Sequence, residues 1–118
     1  MITEDYVSFE IAKLLKEKGF DEYCGYYSSD GEYWGYRVYN HKGKDYISAP
    51  TLQMAMKWLR EVHKIEIRVI YENEKLCWYG ACNPMNEPSQ ILLGFGRKCK
   101  SYEEACEAGI RYVLENLI

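Results

Sequence analysis

The chain has 118 residues, 47% of them hydrophobic and 28% charged, ordinary values for one domain with a core of its own. Its 15 basic and 18 acidic side chains leave a formal charge of −3, which lacks the basic excess that polyanion binders use to displace counterions. No run of 18 apolar residues occurs and Met1-Ile2-Thr3-Glu4-Asp5 is acidic, so neither a membrane span nor a secretory leader is expected.

The first element expected is a helix over 8–18. Ser8 is a good N-cap because its hydroxyl can accept from an orphan N–H of the first turn. Glu10 lies near the positive end of the helix dipole, Lys16 and Lys18 near the negative end. Ile11, Ala12, Leu14 and Leu15 form the apolar face, and Gly19-Phe20 suits a left-handed ending with a hydrophobic contact.

The period then changes to two. Segments 23–27, 32–39 and 45–48, separated by Ser28-Ser29-Asp30-Gly31 and a turn at 40–44, predict a three-stranded meander. In its middle strand Trp34, Tyr36 and Val38 share one face and Tyr33, Gly35, Arg37 and Tyr39 the other. Both faces are therefore aromatic, and one is expected to lie against the helices.

A second helix is predicted over 51–63, with Leu52, Ala55, Met56, Leu59 and Val62 as its stripe, Pro50 at its start, and Trp58 flanking the stripe or half exposed. Ile65, Ile67, Val69 and Tyr71 alternate in a strand over 65–71; 72–74 reads as a turn and 76–81 as the returning strand. Pro84 and Pro88 mark 83–88 as a loop, and 89–95 as the next strand. Ser101 and Glu104 form a capping box ahead of a helix over 102–117, whose stripe is Tyr102, Cys106, Ile110, Val113 and Leu117. Gly109 inside it suits close approach of helix to sheet.

The result is one α+β domain over 1–118, ordered α-β-β-β-α-β-β-β-α, with antiparallel sheets packed against three helices. Segments 8–48 and 51–97 echo each other weakly as α-β-β repeats, with Trp34-Gly35 in one and Trp78-Tyr79-Gly80 in the other.

Three segments carry a further likeness: 7–20; Ala49-Pro50-Thr51 with Lys57-Trp58-Leu59-Arg60-Glu61; and Tyr102-Glu103-Glu104-Ala105 with Glu107-Ala108-Gly109-Ile110. Through these the chain resembles a group of short proteins of phages, prophages and mobile elements of gut bacteria. The resemblance covers the helices, implies a shared fold and a mobile-element origin, and brings no activity, cofactor or catalytic residue.

Cys24, Cys77, Cys82, Cys99 and Cys106 are odd in number and lack framework spacing, so free thiols in a reducing cytoplasm are expected. Their spacings are not those of a zinc site, His41 and His63 stand alone, and no metal or cofactor is expected. Cys99, between Lys98 and Lys100, is the thiol best placed for a lowered pKa, yet it has no His partner in its vicinity. Arg97, Lys98, Lys100 and Ser101 precede a helix N-terminus where an anion could rest, although Glu103 and Glu104 oppose it. The second half is similar in element order to a double-stranded-RNA-binding domain. That likeness implies lysines at the start of the last helix, where this chain has Ser101-Tyr102-Glu103-Glu104.

The distinctive signal is tyrosine, 12 residues, with Tyr26, Tyr27, Tyr33, Tyr36 and Tyr39 clustered in the first three expected strands. The expected function is that of a cytoplasmic, non-enzymatic accessory module that binds a protein partner or itself. Its aromatic sheet face would comprise Tyr33, Arg37, Tyr39, Trp78 and Tyr79. The alternatives are a nucleic-acid-associated accessory protein, which the charge disfavours, and an enzyme whose site the residue pattern does not reveal.

Overall fold

The computed structural model describes residues 2, 4–85, 92, 93 and 99–118, with the backbone alone at Tyr36, Leu92 and Leu93. It is an α+β arrangement of three helices and two antiparallel sheets, divided into two units, Met1–Met54 and Ala55–Ile118. No described helix is long and apolar enough to cross a membrane.

In the first unit, helix α1 (Phe9–Glu17) starts where Ser8 Oγ accepts the Ile11 N–H at 3.3 Å. It ends in a Schellman motif: Phe20 N–H donates to Leu15 C=O, Gly19 N–H to Lys16 C=O, and Gly19 takes φ +93°. Phe20 is buried with Val7, Ile11, Ala12, Leu15 and Ile47 in this unit's core. Lys16, on the same helix, donates to Gly43 C=O at 2.7 Å and Tyr46 C=O at 2.6 Å, fastening the later loop to α1.

The strands are β1 (Cys24–Tyr27), β2 (Tyr33–Val38) and β3 (Ile47–Ser48), in the order β2-β1-β3. The meander is therefore corrected, because β3 pairs with β1, through Tyr26↔Ser48 and Tyr27↔Ile47. Alternation fixes which residues share a face but not which strand lies alongside. The connection after β2 includes a 3₁₀ turn at Asn40–Lys42, long enough to carry the chain across β1. The buried Asn40 amide fixes that crossing, donating to Phe20 C=O at 2.6 Å and accepting from Ser48 N–H at 2.8 Å. On the edge strand β2, Tyr33, Trp34 and Arg37 are exposed and Val38 is half-buried.

Helix α2 (Leu52–Val62) begins at the end of the first unit, capped by Thr51 Oγ1, which accepts the Met54 N–H at 3.1 Å. Leu52, Ala55, Met56 and Leu59 are buried as the stripe requires, and Trp58 is buried with them. Val62 is exposed despite its spacing. A helical side chain covers the turn before it, and there Trp58 and His63 already pack edge to face at 4.7 Å.

The second sheet is ordered β4-β5-β6. Strands β4 (Ile65–Glu72) and β5 (Cys77–Pro84) pair without irregularity from Ile65↔Pro84 to Glu72↔Cys77. Leu76, expected as the first strand residue, is instead a turn residue with φ +50°, and β5 runs past Ala81 to Pro84. Strand β6 is described only at Leu92–Leu93; the rest of 89–95, and 86–88 of the expected loop, lie outside the described residues. Helix α3 (Tyr102–Asn116) packs on β4 and β5. Ser101 Oγ accepts the Glu104 N–H, while Glu104 Oε2 accepts from Lys100 N–H, one residue ahead of a standard capping box. Cys106, Gly109, Ile110, Val113 and Leu114 are buried, whereas Leu117 is the half-buried C-cap. The two sheets thus differ in strand order, although in each a helix is followed by an antiparallel strand pair, β1–β2 and β4–β5.

Candidate interaction surface

The sequence of 20–24 turns the chain out of α1 and into β1, placing Asp21 and Tyr23 beside the end of β2 and the 3₁₀ turn. Cys24↔Val38 is the last β1–β2 pair on that side, so Tyr23 and Tyr39 follow it as neighbours. Their ring centroids are 5.2 Å apart. Tyr39 also stacks on His41 at 5.2 Å and 25°. His41 is held at two points by Asp21: its N–H donates to Oδ1 at 3.0 Å and its Nδ1–H to Oδ2 at 2.7 Å. These bonds favour the carboxylate and hold the Asp21 pKa below the ordinary carboxylate value. The array is solvent-facing, with Tyr23 50% and Tyr39 38% exposed and the His41 side chain 58% exposed.

Beneath it lies a buried polar layer. Asn40, next to His41, ties Phe20 to Ser48. The Ser48 hydroxyl is fully buried with no partner of ordinary hydrogen-bond geometry, and it faces Cys24. Burial pushes the Cys24 thiol up, against the smaller opposing effects of Ser48, the Ala49 N–H and the Arg37 charge.

The structure divides the residues expected to bind a partner. Tyr39 belongs to the array, and Arg37 is exposed on β2. Tyr33 is exposed on one side and packed on the other. Its ring lies over Gly25, whose missing Cβ leaves room for it, and packs at a tilt on Tyr6 at 5.2 Å and edge to face with Tyr27 at 5.8 Å. Burial and the Tyr6 hydroxyl raise its pKa. Trp78 and Tyr79, adjacent in β5, project to opposite faces, so the grouping of those two is corrected. Trp78 packs between Tyr71 and Tyr102 at 4.9 and 5.6 Å, and Tyr79 lies opposite Ile70.

Of the expected anion site, Ser101 is engaged as the N-cap of α3, Lys100 is exposed, and Arg97 and Lys98 lie outside the described residues. Cys99 is buried and its backbone bridges Trp78 at 2.8 and 2.7 Å, so its thiol is not a loop thiol open to solvent. All five cysteines are free and buried. Among the described residues no group of three His, Cys, Asp or Glu could hold a metal. Neither histidine stands alone: His41 pairs with Asp21, and His63 packs on Trp58. Sequence reasoning missed Asp21, Tyr23 and His41. The available signal was that Tyr39, itself singled out, stands two positions before His41.

Protein-family models, curated proteins and solved structures give no match to this chain.

Proposed function

We propose that the chain is a non-enzymatic interaction module that binds a protein partner through Tyr23, Tyr39 and His41. The observation that carries this reading is an exposed aromatic array already fixed before any partner arrives, by ring packing and by the two bonds that His41 donates to Asp21. Stacked tyrosines offer large contact area with little side-chain entropy left to lose, which favours their use as interface anchors. The five buried, free thiols support a reducing cytoplasmic setting. The likeness of the helical segments supports an origin in a phage-type mobile element.

Affinity capture with the wild-type chain and with a Tyr39→Ala variant tests the proposal. The same protein should be recovered by the wild type and lost by the variant, with melting temperatures that agree closely. Equal recovery by both forms sinks the reading. A salt-dependent gel shift abolished by the same substitution would replace the protein partner with a nucleic acid.

A further inference from the structure

We propose that a second copy of this chain pairs along the outer edge of β4, two β4 strands meeting antiparallel about a two-fold axis at Ile67. This goes beyond the Tyr23–Tyr39–His41 surface and does not depend on it.

Edge strands expose unpaired backbone groups, and proteins usually keep them short or interrupt them. Both edges of the first sheet are treated in that way: β3 has 2 residues, and β2 loses regular register against β1 between Cys24 and Tyr26. Strand β4 differs: it has 8 residues, pairs regularly with β5 throughout, contains no proline, and pairs with no other strand among the described residues.

The backbone direction follows from one bond. Met85 N–H donates to Lys64 C=O at 2.7 Å, and hydrogen-bonding positions alternate along an antiparallel pair. Glu66, Arg68, Ile70 and Glu72 therefore turn their N–H and C=O groups to β5. Those of Ile65, Ile67, Val69 and Tyr71 point outward. Ile65 sits opposite Pro84, where no N–H is available to donate, as this assignment requires.

A two-fold axis normal to the sheet must pair outward-directed residues with each other and keep each side chain on its own face. Four registers overlap the strands by at least five residues. A centre at Ile70 sets Arg68 against Glu72 on both sides but joins outward-directed residues in only two pairs, Val69 with Tyr71, against three pairs for Ile67. Charge separates the others. A centre at Val69 sets Glu66 against Glu72 of the other copy. A centre at Arg68 sets Arg68 against itself. A centre at Ile67 sets Glu66 against Arg68 on both sides of the axis, with Ile65 against Val69 and no like charges opposed. Opposite charges directly across a strand pair stabilise it and like charges destabilise it.

Sedimentation equilibrium at sub-millimolar protein tests the pairing. The wild type should sediment as a dimer, and Arg68→Glu and Glu66→Arg should each associate at least about tenfold more weakly through opposed like charges. An equimolar mixture of the two variants should recover the dimer, as should the double variant, because both restore two Glu–Arg pairs. A wild type that remains monomeric overturns the proposal. So do single variants that dimerise normally, or a mixture that does not recover. Hydrogen exchange supplies a second reading that needs no variant: the Ile65, Ile67 and Val69 amides should gain protection with concentration, and equal exchange in dilute and concentrated samples also overturns it. Tyr39→Ala should leave the dimer intact, so loss of partner capture and loss of dimerisation are separable results.

Discussion

Asn40 is a buried side chain whose two amide atoms both work at a distance along the chain, one bonding the end of α1 and the other the start of the β3 backbone. Removing it leaves Phe20 C=O and Ser48 N–H buried without those partners, and each unsatisfied buried group costs roughly 1–3 kcal/mol. Asn40→Ala should therefore lower stability by about 2–4 kcal/mol in urea denaturation. Asn40→Asp, which keeps an acceptor for Ser48 N–H, should lie between the alanine variant and the wild type. Its neighbour His41 shows why part of the surface was hidden in the sequence. Asp21 lies 20 positions away, and residue type alone does not announce a pairing that depends on where the 3₁₀ turn returns the chain. Because the Asp21 pKa is depressed, whatever the pair adds is present above the ordinary carboxylate range and lost as pH falls through the folded value. An NMR titration of Asp21 should give a midpoint below that of a free carboxylate, and His41→Ala should move it up towards the ordinary value.

At the scale of elements, local signals were legible and pairings between elements were not. The Ser8 cap, the Gly19–Phe20 ending and the Ser101 cap depend on residues within one turn of each other, and all three lie where the spacing places them. The β2-β1-β3 order depends on Asn40 and Lys16 reaching across the chain, which no alternation encodes. The β4–β5 turn was misplaced for a different reason. Leucine is a good strand residue and a poor left-handed one, yet Leu76 takes φ +50° and is 77% exposed. An L-residue in that conformation costs about 1–2 kcal/mol, and Leu76 has little burial to offset it. Leu76→Gly should raise stability by up to about 1 kcal/mol, the gain being reduced by glycine's extra unfolded-state freedom. Gly19→Ala, at φ +93°, should act in the opposite direction by a similar amount, about 1 kcal/mol. Thermal melts of the two variants would shift to opposite sides of the wild type, and a lower melting temperature for Leu76→Gly would count against the strain.

For the molecule as a whole, the shifted groups make the alkaline side its weaker one. Burial raises the thiols of Cys24, Cys82 and Cys106, the last from the ordinary value of 9.0 to about 11, and it also raises the Tyr33 hydroxyl. A group whose folded pKa is raised stabilises fully below its unfolded value and loses that contribution as pH climbs through the folded one. Lys16 opposes the trend: burial lowers its pKa, so its folded form gains relative stability as pH rises towards the unfolded value. One lysine stands against three thiols and a tyrosine, and the net slope should be downward from about pH 9. On the acid side, Asp21 and Asp30 are the carboxylates held low among the described residues, both on the surface, where solvent screening limits what such pairs contribute. Cys106 has the largest single share, because its thiol is pushed up the most. A rise of two units corresponds to about 2–3 kcal/mol once the unfolded thiol is ionised. Urea denaturation at neutral pH and between pH 9 and 11 should show the wild type losing stability steeply. Cys106→Ala should start lower at neutral pH because of its small cavity, then fall less steeply, so that the two curves converge. Parallel curves would mean that the Cys106 thiol ionises in the folded chain as readily as in the unfolded one, and that its burial carries no electrostatic penalty.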